Sequence, residues 1–177
     1  DAPRFTDDQM QTIAAPLDFV GMNMYAPQYV RADDGERGFA QVTKPSSYPT
    51  MNMDWLFVGP QITYWGPRLL KEVWNVDAVY ITENGCASND VLAEDGEVYN
   101  TDRLMYVRNH LINAHRAVTE GWPLKGYFLW GLLDNFEWAE GYAKRFGITY
   151  VDYETLRRTP KLSAKFYRET IANNAVV

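Results

Sequence analysis

Glu83 is the residue best placed to do chemistry. It stands where an apolar run stops, in Val79-Tyr80-Ile81-Thr82-Glu83-Asn84-Gly85. If that run is a barrel strand, its end holds a carboxylate on a rigid support at the face where barrel enzymes keep their reactive groups. If it is not, Glu83 is an ordinary loop acid, because strand ends commonly carry polar residues; spacing alone leaves both readings open. A second concentration of functional side chains lies in Gly126-Tyr127-Phe128-Leu129-Trp130-Gly131-Leu132-Leu133-Asp134-Asn135-Phe136-Glu137-Trp138, where aromatic rings and carboxylates share one segment. Other chemistries are poorly supplied. Cys86 is the single cysteine, which excludes a disulfide framework within the chain, and two histidines with one cysteine are too few for a structural zinc site. His110 and His115 lie five apart, off a common helical face, and read as helix surface or packing residues. No cofactor and no metal are expected.

Charge narrows the partners. The chain has 177 residues, with 17 Lys and Arg against 23 Asp and Glu, for a formal charge of −6. Its basic residues are interspersed with acids, with no run longer than Arg157-Arg158. A nucleic-acid surface would show a basic stripe, so none is expected. No apolar run approaches the roughly 18 residues of a membrane span, and the expected compartment is the cytoplasm. Aromatic residues make up 15%, including 6 Trp and 12 Tyr, more than packing alone needs. Large flat rings suit sugars and interfaces, and the acidic balance suits an uncharged or polar ligand.

The elements that must position these groups follow from periodicity. Three short apolar runs, 17–25, 76–82 and 124–133, are nearly continuous rather than alternating, as parallel strands covered on both faces require. Between the last two, Leu104, Val107, Leu111, Ala114 and Val118 paint one face of a helix, with Asn100 or Thr101 to start it and Gly121 to end it. A second helix is expected over 62–73. A third is expected over 162–171, with Thr159 as its cap and Pro160 at its first position. Alternating strands and helices make a parallel α/β fold. The strand starts are 59 and 48 residues apart, against roughly 30 per unit in a minimal eightfold barrel, so long loops are expected. Residues 26–61, with Asp33-Asp34-Gly35, Lys44-Pro45-Ser46-Ser47 and Tyr48-Pro49, read as one long irregular connection.

Four motifs then act together. The segments Asp18-Phe19-Val20-Gly21-Met22-Asn23-Met24-Tyr25, Ile81-Thr82-Glu83-Asn84-Gly85, the run 126–147 and Tyr150-Val151-Asp152-Tyr153 stand in an order and spacing that closely resemble the C-terminal part of the glycoside hydrolase family 1 β-glucosidases. The resemblance covers essentially the whole chain. It implies a (β/α)8 barrel of retaining β-glycosidases, with the three strands here as the sixth, seventh and eighth, so that residues 1–177 form the C-terminal portion of a single catalytic domain. It further implies Glu83 as the nucleophile and Tyr25 as the tyrosine that hydrogen-bonds and orients it. Asn23 matches a polar neighbour in the same site, Trp130 the indole platform under the sugar, and Glu137 with Trp138 the pair that recognises sugar hydroxyls. Phe146 lines the same pocket. A cis peptide between Trp130 and Gly131 is expected, with Gly131 standing where serine is more familiar.

The resemblance also identifies what this chain does not carry. The family's acid/base glutamate lies in a Thr-x-Asn-Glu-Pro motif at the end of the fourth strand, and no such string occurs here. A three-strand remnant leaves two unpaired edges and an open core. The chain is therefore expected to be a fragment, inactive alone, whose partner is the N-terminal portion carrying strands one to five, and whose substrate in the assembled enzyme is a non-phosphorylated β-glucoside or related glycoside. The alternative is a non-catalytic sugar-binding or assembly fragment, against which an intact Glu83 counts, since a binder has no need of a nucleophile.

Overall fold

Each of the three apolar runs gives rise to a strand; the first and third strands are shorter than their runs, and the second begins inside its run and continues past it through Glu83 to Asn84. The computed structural model describes residues 2–177. Its elements in order are α1 (Asp7–Ile13), β1 (Val20–Asn23), β2 (Tyr29–Ala32), β3 (Phe39–Val42), α2 (Ile62–Trp74), β4 (Val79–Asn84), α3 (Thr101–Thr119), β5 (Leu124–Leu129), β6 (Thr149–Val151), β7 (Arg158–Pro160) and α4 (Leu162–Asn173). Strands β1, β4 and β5 form one parallel sheet in that order, in register Val20 to Val79 and Val79 to Leu124. Parallel neighbours need crossovers, and α2 and α3 supply them.

The β-branched Val79 and Ile81 are fully buried, as a strand packed against helices demands. Met24, Tyr64, Ile81, Ala114, Ala117 and Leu124 make one core cluster between sheet and helices. Leu56, Cys86, Ala87, Tyr106, Val107 and Phe146 make a second, beyond the C-terminal ends of the strands. The other faces are less covered than continuous apolar runs suggest: Phe19 is 54% exposed and Phe128 58%.

Three expectations need correction. Residues 26–61 are not wholly irregular, because β2 and β3 pair as an antiparallel hairpin from Tyr29–Val42 to Ala32–Phe39. The Asp33-Asp34-Gly35 turn signal joins two strands there, and Gly38 supplies a φ of +71°. Thr159 and Pro160 do not open the last helix; they lie in β7, paired with β6, and Lys161 occupies the cap position instead. The Lys161 side chain is drawn inward by buried carboxylates, which moves the start of α4 two residues on. The buried face of α3 comprises Arg103, Tyr106, Val107, His110, Ala114 and Ala117, whereas Val118 is 52% exposed. Helix α1 escaped the periodicity reading because it buries nothing; a capping box between Thr6 and Gln9 defines it. Among the described residues no helix is long and apolar enough to cross a membrane.

Candidate active site

Strand β4 carries Glu83 to the C-terminal end of the sheet. The ladder with β1 slips there: Met22 pairs with Ile81 but Asn23 pairs with Glu83, which sets the asparagine and the glutamate abreast. The exposed Asn23 accepts from the Thr82 hydroxyl at 2.8 Å, and among the described residues its amide donors have no partner. Tyr25 lies two residues past the end of β1, and its hydroxyl donates to Glu83 Oε2 at 2.8 Å. Burial, and next the bond to the Glu83 carboxylate, push the Tyr25 phenol well above the usual tyrosine range, so it remains a donor at neutral pH.

The loop after β5 brings the second group of side chains. The backbone N–H of Trp130 donates to the Asn84 carbonyl at 2.9 Å, and the Trp130–Gly131 peptide is cis, as expected. A Cβ on Gly85 would lie 1.7 Å from the Trp130 carbonyl oxygen, so the two strand ends meet backbone to backbone only because residue 85 is glycine. Glu137 faces the same space. Burial raises its carboxyl above the ordinary range, the Trp130 indole N–H draws it partly back, and the charges of Glu83 and Glu140 add to the rise. Phe146 is 3% exposed and meets Tyr25 edge to face at 6.4 Å, forming a wall behind the tyrosine. The structure thus brings Glu83, Tyr25, Asn23, Trp130, Glu137 and Phe146 to one end of the sheet. Trp138 stands on the short 3-10 turn after Glu137, 82% exposed, and its indole makes no hydrogen bond or ring pair with the others among the described residues.

Beneath these loops runs an ion-pair network that the sequence reading missed. Arg103 pairs with Asp90 at 2.8 Å, Lys161 with Asp90 at 2.6 Å and Asp134 at 2.7 Å, and Arg145 with Asp134 at 2.6 Å. The side chains of Asp90, Asp134 and Lys161 have no exposed surface. Burial, then the Arg103 charge, lower the pKa of the Lys161 ammonium, and the two aspartates oppose that fall. Arg103 also donates to the Cys86 and Arg145 carbonyls, and Lys161 to the Gly147 carbonyl, so the network ties the loop after β4 to the strand that follows Phe146. A Cβ on Gly147 would fall 2.2 Å from the Asp134 nitrogen, which shows how closely the loop after β5 is seated. A positive charge at position 103, on the same helix face as Val107, was the one available signal.

Trp55 was also missed. It is half exposed and packs edge-on against Tyr25 at 5.7 Å. A cleft of about 600 Å³, lined by residues that include Tyr29, Lys44, Trp55 and Phe57, opens beside it. Cys86 is inert by burial, which pushes its thiol up to about 12, and buried His110 is held down to about 4 and is neutral at pH 7. Chemically, the assembled groups offer one hydrogen-bonded carboxylate at a strand end, a second carboxylate beside an indole, and aromatic walls. Such a lining is chemically suited to a neutral, hydroxyl-rich ligand.

Comparisons with known proteins match almost the whole chain. The family model described as Glycosyl hydrolase family 1 matches residues 1–176. Beta-glucosidase A of Thermotoga maritima is 45% identical over 175 residues, covering 98% of this chain and 39% of that protein. The 1,4-beta-D-glucan glucohydrolase of Thermotoga neapolitana is 45% identical over 174 residues, again 98% of this chain and 39% of that protein. The solved family 1 β-glucosidase of Thermotoga maritima superposes with a TM-score of 0.86 at 45% identity, over 96% of this chain and 38% of that one. The chain therefore spans about two fifths of the length of these relatives. With the family model matched over residues 1–176, almost the whole of the sequence, the chain belongs to glycosyl hydrolase family 1.

Proposed function

We propose that this chain is the C-terminal portion of a retaining β-glucosidase barrel, with β1, β4 and β5 as its sixth, seventh and eighth strands and Glu83 as its nucleophile. The observation that carries the reading is the Tyr25–Glu83 hydrogen bond at the C-terminal end of a parallel sheet, which is the end where barrel active sites lie. Two features support a complementary portion. Strands β1 and β5 are both outermost in the sheet, each with an unpaired edge, and apolar groups on or beside them, Phe19, Phe128 and Leu132, are 54%, 58% and 69% exposed.

In the assembled enzyme the Glu83 carboxylate attacks the anomeric carbon of a non-phosphorylated β-glucoside. The bond to the aglycone oxygen breaks, and that oxygen takes a proton from an acid/base glutamate on the complementary portion. Water then attacks the glycosyl-enzyme, returning a proton to the same glutamate and releasing Glu83 as carboxylate. Tyr25 holds the nucleophile in place through its hydroxyl. Trp130 lies under the sugar ring, and Glu137 accepts hydrogen bonds from sugar hydroxyls, with Asn23 and Trp138 adding polar and aromatic contacts.

The test is product stereochemistry after removal of the nucleophile. Glu83→Gly in the complete enzyme lowers turnover by several orders of magnitude, and azide restores cleavage of a substrate with a good leaving group. If Glu83 is the nucleophile, the product is the α-glycosyl azide, because the anion attacks from the side that the carboxylate vacated. A β-glycosyl azide by proton NMR removes Glu83 from that role.

A further inference from the structure

Behind the Tyr25–Glu83 pair lies a set of polar side chains, two buried and one half-buried, to which the mechanism above gives no part. Asn84, next to Glu83 in β4, has no exposed surface, and its amide makes three hydrogen bonds. Its Nδ2 donates to the Met24 carbonyl at 2.6 Å and to the Tyr106 hydroxyl at 3.2 Å, while its Oδ1 accepts from the Tyr127 hydroxyl at 2.5 Å. Tyr106, equally buried in α3, spends its one hydroxyl proton on the Tyr25 carbonyl at 2.7 Å. The hydrogen bonds run in one direction, from Tyr127 through Asn84 and Tyr106 to Tyr25, so each group has a single consistent donor and acceptor role.

The two carbonyls that this set holds are those of Met24 and Tyr25. They belong to the peptide units before and after the Tyr25 Cα, and holding both planes fixes the two dihedrals that aim the Tyr25 side chain. Tyr25 needs such a hold. Strand β1 ends at Asn23 and the last backbone bond to β4 is made by the Met24 N–H to the Glu83 carbonyl at 2.8 Å, so the tyrosine itself lies beyond the sheet. Three elements contribute to the hold, with Asn84 from β4, Tyr106 from α3 and Tyr127 from β5. Satisfying two buried carbonyls would take any two donors. Converging three strongly oriented side chains on the residue whose hydroxyl reaches Glu83 does more than that.

We propose that Asn84, Tyr106 and Tyr127 are positioning residues for the reaction, which lock the backbone of Tyr25 so that its hydroxyl holds the Glu83 carboxylate in the attacking orientation. This rests on the reading of Glu83 as nucleophile. None of the three touches substrate, so their effect falls on the covalent step and not on sugar binding. A misplacement of about 1 Å at a reacting group costs on the order of 100-fold, and Tyr106→Phe removes both the donor to Tyr25 and an acceptor of Asn84.

The experiment uses the complete enzyme and an activated 2-deoxy-2-fluoro-β-glucoside, whose glycosyl-enzyme persists long enough to be counted. Three quantities are measured: the saturating rate constant of inactivation, the half-saturating concentration, and the fraction of protein labelled, with the adduct mapped to its residue. For Tyr106→Phe the expected result is complete labelling of Glu83, a rate constant lower by about 10- to 100-fold, and a half-saturating concentration within about threefold of wild type. Tyr127→Phe, one bond further from Tyr25, folds with the Tyr106–Tyr25 bond intact and shows a smaller fall in the same rate constant. It also serves as the test if Tyr106→Phe does not fold. A wild-type adduct on Glu83 together with variant rate constants within twofold of wild type overturns the proposal, whatever happens to thermal stability. A wild-type adduct elsewhere overturns the reading of Glu83 itself, and the positioning role with it.

Discussion

Replacing Asp134 with Asn should destabilise the protein far more than replacing Lys161 with Met, although Lys161 is the residue that joins the two halves of the ionic network. The network holds three cations, Arg103, Arg145 and Lys161, against two anions, Asp90 and Asp134. Lys161→Met removes the surplus cation. Each aspartate keeps an arginine, at 2.8 Å for Asp90 and 2.6 Å for Asp134, and the main loss is a donor to the Gly147 carbonyl. One unsatisfied buried acceptor costs about 1–3 kcal/mol, partly offset because an ammonium no longer has to be desolvated. Asp134→Asn acts in the opposite sense. Its carboxylate accepts four hydrogen bonds, from Lys161, Arg145 and the backbone N–H groups of Gly147 and Val151. An amide presents only one acceptor oxygen, so donors at the other position meet N–H groups, and three cations are left against a single anion. Breaking a buried pair in this way costs about 3–5 kcal/mol. The expected gap is about 2–3 kcal/mol. Urea unfolding of the complete enzyme, with midpoints compared at constant slope, measures it. Equal losses for the two variants, or a loss under about 1 kcal/mol for Asp134→Asn, would show that charge balance does not govern this network.

Two further outcomes are expected. The assembled enzyme should not prefer a 6-phospho-β-glucoside, because the Glu137 carboxylate repels a phosphate and the charge of Arg145 is already matched by Asp134; a higher kcat/KM for the phosphorylated substrate would refute the role of Glu137. The isolated chain should cleave an aryl β-glucoside no faster than background, since leaving-group protonation alone is worth about 10²- to 10⁴-fold, and adding the N-terminal portion should restore turnover; activity from the purified chain with no second polypeptide by mass spectrometry would contradict this.

The sequence was informative wherever a pattern was local. Val79 and Ile81 announce a buried strand through their own side chains, and α3 announces itself through a 3.6-residue repeat. The hairpins were hidden because the pairing of Tyr29 with Val42, or of Thr149 with Pro160, depends on a partner that no local repeat reveals. Lys161 misled for a related reason. Thr159-Pro160 is a good helix start by itself, and only the buried Asp90 and Asp134, 71 and 27 residues away, convert the following lysine into a core residue. In the site, Glu83 and the aromatic run were visible as residue types at a strand end. Asn84, Tyr106 and Tyr127 were not, because an asparagine and two tyrosines acquire their role only when three elements close on them.

The ionic network has a consequence for shuffling sequences among relatives. Its five charged groups fall between Asp90 and Lys161, on the loops after β4 and β5, on α3 and just before α4. A crossover placed inside that stretch joins cations chosen in one parent to anions chosen in another, where neighbouring contacts are least additive. A crossover in the segment between α2 and β4 leaves the charges matched, yet parts Tyr25 from Glu83 and from the buried amide of Asn84. The stretch from Tyr25 to Lys161 therefore behaves as one inheritable block, and junctions in surviving chimeras should gather at its two ends.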